Sequence, residues 1–408
     1  MRLQKTIPVL LAAFILVAAL PGPGLSAGRF TVKPKFALGW RMDDNYYKAE
    51  TNEREVYSYL VQPGIELGYR TPKSLISLDY TFNAYYYDDR DTLRPGELPA
   101  DREDYVGHTG ILEMRTRPTS RLTIGLNDTY YKTRDPSSSD VFANATDRDK
   151  FDINRVTPFL TYDFAPRFTA GLKYQYTVLD YDPVTREDSK EKRPIFDLVY
   201  NLSRTAALDL EYQHWTRDYD LDTSDYTSDQ VKLILRKQYR YLVLEAGGGY
   251  HERDFDDPGL EEIDTFTYRV GLAAQNPPAP AARPRSRLAL GMEQNFNDAG
   301  AGDDYYLATR YILDAGYTYR EKVPLGIRIS YEEFDYERTF GLTPAGTTEL
   351  REEETLTIEG SIGYIINDWL LFTLLGGNEE RESNHAGRDY ENNYLMVRLD
   401  FVYDVGKR

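Results

Sequence analysis

The feature that most restricts this chain is a two-residue alternation that recurs over long segments. Phe30, Val32, Pro34, Phe36, Leu38 and Trp40 alternate with Thr31, Lys33, Lys35, Gly39 and Arg41. One face is apolar and aromatic, the other polar. Successive side chains of a strand point to opposite faces, so this is strand spacing and not helical spacing. The pattern returns in Tyr57, Tyr59, Val61, Ile65 and Leu67, in Ile76, Leu78, Tyr80 and Phe82, and finally in Leu395, Val397, Leu399, Phe401 and Tyr403.

Short turns and long charged loops join these segments alternately. The turns lie near 71–74, 117–121, 165–167, 203–205, 237–240, 276–287, 320–322 and 367–368. The long loops lie near 43–55, 88–104, 132–150, 180–192, 217–229, 252–264, 297–304, 335–354 and 378–391. These connections imply eighteen strands, with sixteen as the alternative, because Tyr105–Thr116 and Trp369–Leu375 alternate poorly. Strands of soluble sandwiches average about 5–6 residues, whereas a tilted membrane strand needs about 9–11. Segments of roughly ten or more residues therefore favour an all-β fold of one kind: a single transmembrane antiparallel up-and-down barrel. Short turns then face the periplasm and long loops the exterior. Tyrosines at segment ends, such as Tyr46, Tyr47, Tyr85–Tyr87, Tyr130 and Tyr131, match the aromatic girdles that sit at headgroup depth.

The N-terminus supports an envelope destination. Arg2 and Lys5 precede the apolar run Ile7–Leu20, which Pro21-Gly22-Pro23-Gly24 breaks before Ser26-Ala27. That is the layout of a secretory signal peptide, expected to be cleaved after Ala27 and to leave residues 28–408 as the barrel. No Cys is present, so disulfides, thiolate nucleophiles and Cys-ligated metal centres are excluded. A net charge of −17 argues against nucleic-acid binding. His108, His214, His251 and His385 are scattered over separate segments, and no catalytic arrangement emerges; neither an enzyme nor a cofactor is expected. Asp218–Asp222 and Asp254–Asp257 carry carboxylates, but without the spacing of a calcium loop they read as solvated loops.

The phrases VQPGIELGYRTPKSLISLDYTFNAYYYDD at 61–89 and NRVTPFLTYDFAPRFTAGLKYQYTVLDYD at 154–182 share a cadence. A Pro lies inside the first strand, a basic tight turn follows, and the return strand ends in Tyr and an Asp-rich loop. This resembles the Putative beta-barrel porin 2 family of Gram-negative outer-membrane proteins. The resemblance implies an outer-membrane barrel and, through the family's frequent association with exopolysaccharide loci, a conduit for exopolysaccharide or a related glycan with a periplasmic export partner. A general or substrate-specific diffusion porin is the first alternative. A structural or surface-interaction barrel acting through its acidic loops is the second.

About eighteen strands enclose an aqueous lumen unless something plugs it. By alternation, the lining includes Lys33, Lys35, Arg41, Glu66, Asp79, Asn83, Lys173, Asp197, Lys232, Arg236, Arg269, Arg310, Arg328 and Arg398. Both signs occur, so cross-strand pairing is expected and no single-sign ring is visible. The long loops hold 47 acidic and 18 basic residues, while the turns are basic through residues such as Lys73, Arg121, Arg240, Arg285 and Arg320. This division predicts an acidic exterior that holds divalent cations beside lipopolysaccharide, and a basic periplasmic face.

Overall fold

The computed structural model describes residues 28–138, 149–182, 186–220, 224–278, 284–297, 305–344 and 346–406. Residues 1–27, the expected signal peptide, lie outside them. Eighteen strands follow one another: β1 (Arg29–Asp43), β2 (Val56–Arg70), β3 (Ser74–Asp89), β4 (Tyr105–Thr116), β5 (Leu122–Thr133), β6 (Phe151–Ala165), β7 (Phe168–Tyr181), β8 (Ser189–Ser203), β9 (Ala206–Tyr219), β10 (Tyr226–Gln238), β11 (Leu242–Phe255), β12 (Ile263–Asn276), β13 (Ser286–Phe296), β14 (Tyr306–Tyr319), β15 (Val323–Leu342), β16 (Thr348–Asn367), β17 (Leu370–Ser383) and β18 (Tyr390–Val402). Each pairs antiparallel with its sequence neighbours, and β1 pairs with β18 from Lys35↔Val402 to Asp43↔Tyr394. The sheet is thereby closed. Beyond β18, the Tyr403 amide donates to the Pro34 carbonyl and the Val405 amide to Val32, each at 3.1 Å, so the tail continues the seam along β1.

One parity of every strand is apolar and exposed: Phe30, Leu38, Ile65, Leu172, Leu210, Val270, Ile327 and Phe372 are typical. The other parity carries contacts that leap over a strand. Arg398 of β18 donates to Gln62 of β2 at 2.8 Å, His251 of β11 meets Asn295 of β13 at 2.9 Å, and Lys35 of β1 pairs with Asp79 of β3. Side chains converge only on the concave side of a curved sheet, so this parity faces the barrel axis. On the convex side, Tyr212–Asp229 (2.5 Å), Tyr331–Glu354 (2.5 Å) and Tyr130–Asp152 (2.8 Å) join adjacent strands only. These tyrosines mark the outer edge of the lipid belt, where a ring meets hydrocarbon and its hydroxyl meets polar groups.

The prolines leave their mark on the ladders. Pairing of β2 with β3 skips from Val61 to Gly64, that of β6 with β7 from Val156 to Phe159, and that of β8 with β9 from Lys192 to Ile195. Pro63, Pro158 and Pro194 sit at these interruptions, as residues that have no N–H to donate.

The eight turns fall where the sequence puts them, but most of the long loops are shorter than expected. Strand β8 begins at Ser189, β10 at Tyr226 and β16 at Thr348, while β15 runs to Leu342 and β17 to Ser383. Backbone pairing does not require apolar side chains, so the strands continue past the lipid belt into charged sequence. Strands β4 and β17 form despite their weak alternation, because neighbours on both sides supply ladders along most of their length.

The two parities predict opposite responses to charge. Val270→Arg, in the middle of the outward run of β12, is expected to lower folding stability in vesicles by about 2–4 kcal/mol. Ser330→Lys, on the inward face of β15, is expected to change it by less than about 1 kcal/mol. Urea titrations read by the heat-dependent gel shift of the folded barrel decide the matter; equal losses would mean that the faces are misassigned.

Candidate functional site: the barrel lumen

All fourteen side chains nominated from the sequence lie on the inward parity, and most are paired. Lys33 contacts Glu66 at 2.6 Å, Lys35 pairs with Asp79, and Arg41 holds Asp43 through two donors. Asn83 accepts from Gln62 at 2.7 Å. Lys173 meets Asp197 at 2.9 Å; Arg236 bridges Asp209 (2.8 Å) and Glu245 (2.9 Å); Arg269 reaches Glu245 at 3.0 Å. Arg310 pairs with Glu332, and Arg398 with Asp400 at 2.8 Å. Lys232 faces inward from β10, opposite Glu211. Arg328 is exposed opposite Glu359 on β16.

The extracellular half of the lumen is packed. On the β9–β14 wall, Trp215, Tyr226, Phe296 and Tyr305 form a buried aromatic cluster with Ile263. Arg253 stacks over Tyr226 at 4.2 Å and donates to the Ser228 hydroxyl (3.0 Å) and the Asn297 carbonyl (2.9 Å). Glu191 accepts from Arg193 and Arg217 at 3.0 and 2.7 Å, and Arg193 lies over Trp215 at 4.2 Å. Further round, Glu353 joins Arg351 (2.6 Å) and Arg381 (3.4 Å) beside Tyr306, Phe334 and Tyr336. At the seam, Tyr394 donates to Glu359 across β17 at 2.9 Å. Gly377 makes this possible, since a Cβ there would fall 2.5 Å from the Tyr394 ring.

Alternation does not single out Glu191, Arg217, Arg253, Arg351, Glu353 and Arg381, because each falls in a segment with the composition of a charged loop. The missed signal is parity. Arg351, Glu353 and Thr355 keep the phase of Glu359 on the same strand, so the polar face extends inward through charged sequence. A buried charge is tolerated only when paired and hydrogen-bonded, and here each carboxylate sits between two guanidinium groups.

The periplasmic half is different. Arginines on its β10–β15 sector reach into open space while their partners lie beneath them. Side-chain exposure is 45% for Arg236 against 6% for Asp209, 55% for Arg269 against 19% for Glu245, and 59% for Arg287 against 29% for Asp314. Lys173 over Asp197 repeats the pattern on β7 and β8, at 37% against 11%. Formal charge is balanced there, but the surface presented to water is cationic. Pairs near β1–β3 show no such layering, with Lys33 and Glu66 both at 29%.

The four histidines lie apart: His214 faces outward and meets Asp229 at 3.0 Å, His108 meets the Tyr80 hydroxyl at 2.7 Å, His251 is packed against Trp215, and His385 meets the Glu349 carbonyl at 3.0 Å. Among the described residues, Glu252, Asp254 and Glu262 converge on the exterior, a different grouping from the Asp254–Asp257 run. Their mutual repulsion, led by Glu252, holds the Glu262 carboxyl above its ordinary range. Part of the Asp218–Asp222 run lies outside the described residues.

No curated protein matches the sequence. Among solved structures, Acinetobacter baumannii OccAB2 is similar at 12% identity and a TM-score of 0.50, with 92% of this chain and 98% of that one covered. Pseudomonas aeruginosa OccK1 (OpdK) aligns at 11% identity and a TM-score of 0.49 over 92% and 99%. The first likeness shows a shared barrel fold. The family model described as Putative beta-barrel porin 2 matches residues 120–239 and 242–403, which is more than half of the chain. With its closed eighteen-stranded wall and polar lumen, this outer-membrane barrel belongs to the Putative beta-barrel porin 2 family.

Proposed function

We propose that this chain is a diffusion porin whose lumen favours small anions. The observation that carries the reading is the layering of the β7–β15 sector, where exposed guanidinium and ammonium groups cover buried carboxylates. Exposed charges set the local potential and hence the ion concentration inside a low-dielectric wall. Membership of a porin family supports passage through the lumen, and porins are channels, not enzymes. The glycan-conduit expectation has less support. Sugars are gripped by exposed aromatic faces, whereas Trp215, Tyr226 and Tyr305 are buried against one another. The packed extracellular half acts in this reading as a size filter above a cationic lower chamber.

Two measurements test it. In a planar bilayer under a potassium chloride gradient, the reversal potential is expected to give an anion preference of about threefold or more. Arg115→Glu with Arg328→Glu changes two exposed inward arginines that make no ion pair among the described residues, so folding is spared; the preference is expected to fall at least about twofold. Cation preference in the unmodified barrel would refute the proposal, and a silent bilayer would favour a surface role for the exterior loops. For the filter, Glu353→Leu leaves Arg351 and Arg381 buried without their carboxylate. It is expected to cost about 3–5 kcal/mol and to raise single-channel conductance and open-state noise. Unchanged conductance in a folded variant would show that this network does not bound the path.

A further inference from the structure

A cleft of about 290 Å³ opens on the periplasmic rim between the start of β13 and the turn that joins β14 to β15. Arg285, Tyr317, Tyr319, Arg320 and Glu321 line it. We infer that it binds the headgroup of an aminophospholipid of the inner leaflet, a phosphate joined to a primary ammonium.

Its position comes from strand parity. Tyr317 and Tyr319 are on the outward parity of β14 and exposed, directly below the apolar residues Leu313 and Ala315 and beside Leu325 and Ile327 of β15. The cleft therefore lies where the lipid belt ends, at headgroup depth. Its chemistry comes from three charged groups. Arg285 donates to the Tyr317 hydroxyl at 3.0 Å, and Arg320 lies 5.2 Å from the centre of the Tyr319 ring. Neither arginine has an ion-pair partner among the described residues, unlike most arginines of the lumen. A guanidinium presents a planar fork of donors that matches phosphate oxygens. The third group, Glu321, lines the same cleft and suits an ammonium, whose three N–H donors seek acceptors. Two cations and one anion in one cleft match a zwitterion better than a simple anion.

The turn itself is built to present these side chains. Arg320 and Glu321 have φ of +47° and +58°, both in the left-handed region. The two-residue hairpin turn with two positive φ values is met most easily by Asn-Gly. Here two long charged residues occupy it, and the Lys322 amide closes it on the Tyr319 carbonyl at 3.1 Å.

Native mass spectrometry of the full barrel in detergent, titrated with phosphatidylethanolamine, phosphatidylglycerol and phosphatidylcholine, tests the inference. Phosphatidylethanolamine is expected to bind most tightly. Arg285→Gln with Arg320→Gln should weaken it about tenfold, while Arg240→Gln on another turn should not. Glu321→Gln should abolish the preference for the primary ammonium over the other two headgroups. Folding is checked by the gel shift, and Arg320→Gln alone serves if the double variant misfolds. Retained binding in the arginine variants, or an unaltered headgroup preference in Glu321→Gln, would overturn the assignment. Equally tight binding of soluble glycerophosphoethanolamine would overturn the lipid as occupant and leave a site for a free phosphate compound.

Discussion

Backbone hydrogen bonding in hydrocarbon is the constraint on which everything else depends. No water is available there to satisfy N–H and C=O groups, so a sheet that crosses a membrane can have no edge. The pairing of β1 with β18 answers that demand, and the amides of Tyr403 and Val405 extend the seam beyond the last regular strand. Closure also fixes which face of each strand is which. Once the sheet is curved, inward side chains converge and outward ones diverge, so contacts across an intervening strand, such as Arg398–Gln62 and His251–Asn295, favour the inward parity. The apolar belt, the tyrosine donors at its outer edge and the polar lumen are all consequences of one alternation bent into a circle.

Inside, electrostatics is arranged by depth. In the extracellular half, carboxylates are enclosed between arginines and aromatic rings, which removes most of them from solvent and thickens the wall. Such buried pairs contribute little net stability but are costly to break, so they hold a shape more than they hold the fold. In the periplasmic half, the same ingredients are layered, with carboxylate beneath and guanidinium above. A census of charges finds balance, whereas a permeating ion meets the upper layer first. The periplasmic rim uses arginine in yet another way, set against tyrosines at the membrane surface with Glu321 in the same cleft.

The sequence-based expectations fared unevenly, for identifiable reasons. Strand number and turn positions were legible because basic tight turns interrupt long alternating runs. The inward parity was legible at Lys33, Lys35, Glu66 and Asp79, where the outward neighbours are plainly apolar. It was lost at Glu191, Arg253 and Glu353, where both parities are charged and a strand looks like a loop. The acidic totals for the loops therefore mix two populations: exterior carboxylates such as Glu252 and Glu262, and carboxylates such as Glu353 that are neutralised inside the barrel.

By itself the sequence determined the class of structure: many long strands, one apolar face and asymmetric connections, hence a closed barrel in the outer membrane. Periodicity suffices for that, because it is local and survives any arrangement of the remaining chain. Only the tertiary structure decided which charges meet. The Lys35–Asp79 and Arg398–Gln62 contacts skip a strand, and Glu353 is shared by neighbouring strands in a particular register. Nor could composition reveal that Arg236 is open to water while Asp209 is not. Curvature and register set those differences, and they come into being only when the eighteenth strand finds the first.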